Sequence, residues 1–553
     1  MLAPSPTGEP MRWLAASLIA LLIVGAILLV GWPAIHGFWV RDDLTQLAYV
    51  RLLGTPWPLF THDHFPVPGS IFRPLGFASL WLSEQVLGHD YVANTVADLV
   101  LHGVVVLSLY RLMRVAIGRT TALACCLLFA LLPVVLVTVF SWSNRFDLLA
   151  VLFTLVTLRA LCDWIVSGRS LHLTVTVVAM LAALLSKESG VIAVVGTALL
   201  LGYAALSRRI DWRRASIAIV VIGLVGISYV VWRDGLLGSG ANAIAGSASI
   251  IATLGRGNAL WWQQLGGYLS AGLSGWVVVC AMIVSIVAVI ARITQSSQNE
   301  QPTGLRSPIL LAAVALLFLP GVLQAPIAVL NSVAASADMS AVELGMQARL
   351  YYTGCVGLTL MLALLVDAIA PTPRRFITVG LFALAAVAGV ATHRLAQAHA
   401  QRSNVIAKQA VAVVNYIANH PLPTQRCRVV ILGYEPAPEW MIVTPLDSVI
   451  KAIAPDLTKV AACLFANEHR TYIHQFSAGY VTPADLLPWR PRELGGEPVA
   501  WLEIGQLEVA YLDPPTEFSA TDRDEIMFLE IDGDRVTDIS AAVRDGTRVV
   551  KLD

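Results

Sequence analysis

The residues able to do chemistry in this chain lie in a few polar breaks between apolar runs. Two adjacent acids, Asp42 and Asp43, follow the first apolar block, with Arg41 directly before them. Adjacent carboxylates repel one another and hold acid groups at the membrane surface, an arrangement suited to a general base that takes a proton from a hydroxyl. An aspartate just before Leu44 also serves as a helix N-cap, so the pair alone leaves both roles open. Arg73, Arg145, Lys187 and Arg349 fall in separate breaks, and the last three have polar companions in Asp147, Glu188 and Tyr352. Cations from separate segments suit a phosphate, because guanidinium forks and an ammonium can share its oxygens. Taken singly, each has a plainer reading: Arg145 paired with Asp147, Lys187 paired with Glu188, and Arg349 snorkelling from the end of its helix. Asn94, Asp98 and His102 recur every four residues and share one helix face, a pattern that suits hydrogen bonding between helices more than catalysis. His62-Asp63-His64 offers ligand types only as neighbours in a Pro-rich loop, so no metal site is assigned; no cofactor is certain, and a divalent cation stays an option.

The elements that position these residues follow from composition. Of 553 residues, 57% are hydrophobic and only 13% charged, and the mean hydropathy is +0.70. A water-soluble chain of that size and composition would expose large apolar surfaces, so the bilayer is part of its solvent. The 37 basic and 37 acidic residues cancel, which gives no reason to expect a nucleic-acid partner.

Apolar blocks near 13–35, 92–114, 120–140, 146–167, 171–185, 189–206, 215–232, 273–293, 308–328, 352–370 and 376–395 each approach the roughly 20 residues a helix needs to cross, giving about eleven spans. Trp13 to Trp32 is uncharged and no small-residue cleavage site follows it, so it reads as an uncleaved signal anchor. Arginines cluster in alternate connections, at Arg12, at Arg111, Arg114 and Arg119, at Arg208 to Arg214, at Arg292 and Arg306, and at Arg374 and Arg375. The positive-inside rule makes those sides and the N-terminus cytoplasmic, and places the first loop, the turns holding Arg145 and Lys187, the Arg349 segment and the C-terminal domain on the extracytoplasmic face, periplasmic in a bacterium. The 254–269 stretch, with Trp261 and Trp262, reads equally as an interfacial amphipathic helix or a loop.

The expected fold is therefore a polytopic α-helical membrane domain over 1–395 followed by a soluble mixed α/β domain over 396–553. In the latter a helix to about Asn419 precedes β-rich runs at 428–434, 470–476, 527–531 and 548–552, and Asp532-Gly533-Asp534 reads as a hairpin turn. Cys427 and Cys463 are the pair available for a disulfide there, whereas Cys125, Cys126, Cys162, Cys280 and Cys355 fall in membrane blocks.

The acid pair, Arg73-Pro74-Leu75, His102, Phe129-Ala130 to Pro133, Ser141 to Leu149, the Leu185 to Gly190 turn and Arg349-Leu350-Tyr351-Tyr352, taken in order, resemble the GT-C glycosyltransferases. The nearest resemblance is to the transmembrane O-mannosyltransferases with tetratricopeptide tails and to protein O-mannosyltransferases more broadly. It covers roughly residues 10–370 and implies a polyprenyl-phosphate-sugar donor, a hydroxyl acceptor on a protein, glycan or lipid, and inversion at the anomeric carbon. It also implies that Asp42 or Asp43 is the base, and that Arg145, Lys187, Arg349 and Arg73 hold the donor phosphate with Asp147, Glu188, His102 and Tyr352 in support. Asp98 stands where the resemblance implies asparagine, Ala348 where it implies an acid, and the tail has no 34-residue repeat. The rival readings are a lipid or small-molecule transporter, which would be expected to show internal repeats and broken helices at midplane depth, and a non-catalytic scaffold.

Overall fold

The computed structural model describes residues 9–40, 42–61, 72–237, 306–323, 349–422, 427–434, 446–456, 459–460, 463–467, 471–475, 490–491, 493–494, 497–498, 502–504, 507–513 and 518–550. They fall into two compact units, one built from the described parts of 1–36, 95–233 and 244–399, the other from those of 37–94, 234–243 and 400–553. In chain order the helices are α1 (Glu9–Gly31), α2 (Asp42–Leu52), α3 (Pro74–Leu87), α4 (Tyr91–Met113), α5 (Arg119–Leu131), α6 (Pro133–Leu136), α7 (Arg145–Ser167), α8 (Ser170–Ser186), α9 (Val191–Leu206), α10 (Trp212–Leu237), α11 (Arg306–Leu323), α12 (Tyr352–Ala368) and α13 (Pro371–Asn419).

The first unit is helical. Among the described residues seven helices are long and apolar enough to cross a membrane, or eight when one bent pair counts as a single span. The chain is thus an integral, multi-pass membrane protein. Apolar residues such as Leu21, Leu29, Ile227 and Val387 are more than half exposed, as side chains facing lipid would be. The blocks expected at 171–185 and 308–328 are shorter apolar helices, and the block at 273–293 and the 254–269 stretch lie outside the described residues.

The block at 120–140 is not one straight span. It breaks between Leu131 and Pro133 with a bend of 60°. Pro133 has no N–H to donate and disfavours helical geometry at the residue before it, and Leu132 is extended at φ −61°, ψ 133°. The bend frees carbonyls of the last turn of α5, which then need donors from elsewhere. Thr392 of α13 supplies one to Leu131 O at 2.8 Å, and His102 of α4 approaches Ala130 O at 3.2 Å.

In the second unit, β1 (Arg428–Leu432), β2 (Leu464–Asn467), β9 (Ile526–Asp532) and β10 (Arg535–Asp538) form a sheet in the order β10-β9-β1-β2. The intervening strands β3 (Thr471–Gln475), β4 (Arg490–Pro491), β7 (Leu502–Ile504) and β8 (Leu507–Asp513) make a second sheet, and β5 (Glu493–Leu494) pairs with β6 (Glu497–Pro498). Central β1 is parallel to both β2 and β9 and is buried along its whole length, as an apolar run covered on both faces requires. Val429 and Ile431 pack on one face with Val413 and Ile417 of α13 and Ile450 of α14 (Leu446–Ile453). Val430 and Leu432, pointing the other way, pack with Phe518, Phe528 and Val543, beside α15 (Ala520–Glu525) and α16 (Ser540–Arg544).

Cys427 and Cys463 are disulfide-bonded, with Cα atoms 4.5 Å apart, at the starts of adjacent β1 and β2. The expected hairpin is β9–β10, where Asp532 pairs with Arg535 across Gly533-Asp534 and Gly533 takes φ +64°, as a turn with glycine first demands. The run expected as a strand at 548–552 is not one over its described residues. Beyond Gly546, at φ +78°, Arg548 N–H bonds Ala542 O and the Arg548 guanidinium bonds Glu530, which ties the chain to α16 and the sheet by single contacts rather than by a ladder.

Candidate functional site

In the first unit the polar breaks meet at the start of α7. Ser141 and the 3-10 turn Trp142–Asn144 lead into Arg145, the first residue of α7, and Asp147 follows within the first turn. Asn144 is fixed by its Nδ2 donating to Thr138 O at 2.8 Å, so the turn leans on the bent segment after Pro133. Arg145 donates from Nε to Asp98 Oδ1 of α4 at 2.6 Å, and its guanidinium lies 5.6 Å over the Trp142 ring, within cation–π range.

Lys187 reaches the same turn from another segment. Helix α8 ends at Ser186, Lys187 is extended, and the 3-10 turn Glu188–Gly190 opens α9. A side chain on Gly190 would place its Cβ 2.2 Å from Ala183 O, so only glycine lets this turn close under α8. The extended Lys187 directs its Nζ to both oxygens of Asp147, at 2.5 and 2.6 Å, with the lysine side chain 10% and the aspartate 2% exposed. Arg349, opening the turn Arg349–Tyr351 before α12, donates from Nη1 to Asn144 Oδ1 at 3.4 Å.

Three cations from three segments therefore touch residues 144 to 147 or belong to them. They surround the N-terminus of a 23-residue helix, which carries positive potential of its own. The two buried acids hold Arg145 and Lys187 in fixed poses, so an entering anion meets donors that are already oriented. Behind them, Tyr352 OH lies 2.7 Å from His102 Nδ1. Because a carbonyl only accepts, Nε2–H donates to Ala130 O, which leaves Nδ1 of the neutral ring to accept from the Tyr352 hydroxyl.

The pairings differ from the plain sequence expectation. Arg145 bonds Asp98 rather than Asp147, and Lys187 bonds Asp147 rather than Glu188, because neighbours in sequence at a helix start point around the axis while partners lie across it. Asp98, which the sequence places in an interhelical polar stripe, and Asn144 are site residues to which the sequence alone assigns no part in the site. Their signal was available for Asp98, a carboxylate deep in an apolar span, which must find a cation.

In the second unit, Asp43 is fully buried at the start of α2. Its Oδ2 accepts from Val40 N–H at 3.2 Å and its own N–H donates to Val40 O at 3.0 Å, so Asp43 sits inside the first turn and bonds back to the residue before Arg41 instead of serving as the N-cap of a helix begun at Leu44. Asp42 opens α2, and its side chain lies outside the described residues, as does Arg41. Arg73 stands directly before α3 and accepts Phe77 N–H through its carbonyl. The His62-Asp63-His64 triplet lies outside the described residues; among those described, no cluster of three or more His, Cys, Asp or Glu is arranged to hold a metal.

Residues 68–232 match the family described as dolichyl-phosphate-mannose-protein mannosyltransferase, a segment that holds Arg73, Asp98, His102, Arg145, Asp147, Lys187 and Glu188. The match spans less than a third of the chain. A comparison with curated proteins finds no match. Among solved structures, the chain is similar to the archaeal oligosaccharyltransferase AglB from Archaeoglobus fulgidus, in complex with an inhibitory peptide and a dolichol-phosphate, at 14% identity and TM-score 0.41, over 81% of this chain and 64% of that one. It is similar to ArnT from Cupriavidus metallidurans bound to undecaprenyl phosphate at 15% identity and TM-score 0.42, over 89% and 97% of the two chains. It is also similar to the arabinosyltransferase EmbB from Mycobacterium smegmatis at 16% identity and TM-score 0.35, over 73% and 40%. The chain spans about two thirds of the archaeal enzyme and less than half of the arabinosyltransferase. Likenesses of this order say nothing by themselves about activity.

Proposed function

From a chain whose residues 68–232 match the mannosyltransferase family, we propose an inverting, membrane-embedded glycosyltransferase that moves a sugar from a polyprenyl-phosphate donor to a hydroxyl acceptor at the extracytoplasmic face. The observation that carries this reading is the convergence of Arg145, Lys187 and Arg349 on the N-terminus of α7. Such a site stabilises the departing lipid phosphate as its charge grows, and holds it whichever sugar it bears. Arg73 would join from the first loop. Asp43, or Asp42, takes the proton from the acceptor hydroxyl as its oxygen attacks the anomeric carbon from the face opposite the phosphate, and the configuration there inverts. His102 and Tyr352 support the floor of the site.

The sidedness has support within the second unit. Helix α2 and the tail contact each other there, which supports the reading that the first loop and the C-terminal domain share one side of the membrane. The Cys427–Cys463 bond suits an oxidising compartment on that side. An even number of crossings must then separate the two, which the sequence blocks from 92–114 to 376–395 provide. We accordingly assign 1–395 as the transferase domain and 396–553 as an extracytoplasmic α/β domain.

The test supplies membranes holding the full chain with radiolabelled dolichyl-phosphate-mannose and follows both transfer and release of dolichyl phosphate. Asp43→Asn and Asp42→Asn should express normally, and at least one should lose transfer by 100-fold or more. Full activity in both removes the proposed base. Label moved across sealed vesicles with no new glycosidic bond would instead establish the transporter.

A further inference from the structure

Arg51, in the last turn of α2, reaches the tail. Its Nη1 donates to the carbonyls of Lys451 (3.1 Å) and Ala452 (2.6 Å), and its Nη2 to that of Ala454 (3.0 Å), about 400 residues further along the chain. These carbonyls sit at the C-terminal end of α14, where a helix runs out of its own donors and carries negative potential. A guanidinium can serve three carbonyls in two directions at once, which a lysine ammonium on its flexible stem does poorly. The Arg51 side chain is 9% exposed, and Glu84 Oε1 of α3 lies 3.7 Å from its Nε on the remaining side.

Helix α2 has 11 residues, a rod of about 16 Å at 1.5 Å per residue. A helix so short does not hold its shape or its aim alone, and depends on what grips it. Leu44, Leu47 and Ala48 are fully buried, Tyr49 meets Phe77 of α3 edge to face at 5.5 Å, and Trp81 Nε1 donates to Leu53 O at 2.9 Å. Asp43 is at one end of this rod and Arg51 at the other, two turns on.

We propose that Arg51 is a positioning residue: by clamping α14 onto the C-terminal end of α2, it makes the tail part of the frame that aims Asp43. The role of Asp43 rests on the function proposed above; the clamp does not. The tail then contributes to transfer without touching donor or acceptor, and loosening it tilts α2 and misplaces the carboxylate. A misplacement of about 1 Å at a reacting group is enough to slow the reaction on the order of 100-fold.

The experiment compares full-length wild type, Arg51→Gln and Arg51→Lys by two readouts. The first is amide hydrogen exchange over residues 43–52 and 446–454 in detergent micelles. The second is steady-state release of dolichyl phosphate from dolichyl-phosphate-mannose in membranes of the producing cells, which supply the acceptor hydroxyl that takes the sugar. Arg51→Gln should speed exchange in both segments at least tenfold and lower kcat at least tenfold, with the donor KM within twofold of wild type. Arg51→Lys, which restores one donor, should fall between, and it also serves if the glutamine variant does not fold. Faster exchange in 446–454 alone would make Arg51 a tail cap and overturn the proposal, as would loosened α2 with unchanged kcat. If wild type releases no dolichyl phosphate, the functional reading falls, and the exchange result still decides the clamp.

Discussion

Replacing Lys187 by methionine leaves Asp147, whose side chain is 2% exposed, as a buried carboxylate without the ammonium that occupies both its oxygens. Removing one partner of a buried ion pair costs about 3–5 kcal/mol, because the survivor is still deprived of water. Replacing both by apolar residues of similar volume, as in K187M/D147L, removes that orphan and returns stability to within about 1 kcal/mol of wild type. Activity behaves otherwise. Losing one preorganised charge at the leaving phosphate lowers kcat by roughly 100- to 1000-fold, and the apolar pair cannot replace it. The assay is unfolding in mixed detergent micelles beside transfer from dolichyl-phosphate-mannose. K187M and D147L should each be markedly destabilised, and the double variant stable but inactive. Single variants within about 1 kcal/mol of wild type would show that the pair is hydrated rather than buried. A stable double variant with full transfer would show that Lys187 holds structure and no phosphate.

Gly190→Ala forces a Cβ to 2.2 Å from Ala183 O, so it should shift the Lys187 turn and lower transfer, whereas alanine at Gly202, where nothing lies within 4 Å, should be neutral; parallel activity measurements decide. Breaking the Cys427–Cys463 bond opens a loop with a 36-residue separation and should cost the tail about 3–4 kcal/mol on the chain-entropy account, read as a lower denaturation midpoint of the tail under reducing conditions. Burial pushes the Glu84 carboxyl up to about 7 against the opposing pull of Arg51. A folded-state value above the unfolded one means that the stabilisation is complete at low pH and is lost as pH rises through about 7. With Arg51 and His89 as its charged neighbours, Glu84→Gln should flatten that loss, and a pH series of exchange rates over 446–454 checks it.

The burial of polar side chains explains why the pairings were hard to read from the chain. Arg145 next to Asp147 and Lys187 next to Glu188 look like local pairs, since nearness in sequence is all a sequence displays. In the folded unit, Asp147 turns across to Lys187 and Asp98 crosses from α4 to Arg145, because each buried charge takes the partner that lies across a helix interface. The block at 120–140 shows the same limit. Its hydropathy is continuous, yet Pro133 bends it by 60° and so creates the carbonyls that Thr392 and His102 satisfy. In the tail, the β-rich apolar run of β1 and the Asp532-Gly533-Asp534 turn were legible, whereas the end of the chain was not. Its β-forming residues are held by an Arg548 side-chain bond instead of a ladder.

Sequence by itself determined that the bilayer is part of this protein's solvent, where the described apolar helices, apart from the block bent at Pro133, begin and end to within a turn or two, and which charged residues interrupt them. Those properties are local, set by the transfer energy of each side chain and by proline and glycine geometry. Only the tertiary structure decided which acid holds which cation, that three cations meet at the start of α7, and that Arg51 grips a helix in the tail. Those depend on distances between segments far apart in the chain, and such distances are fixed by packing of the whole rather than by any run of residues.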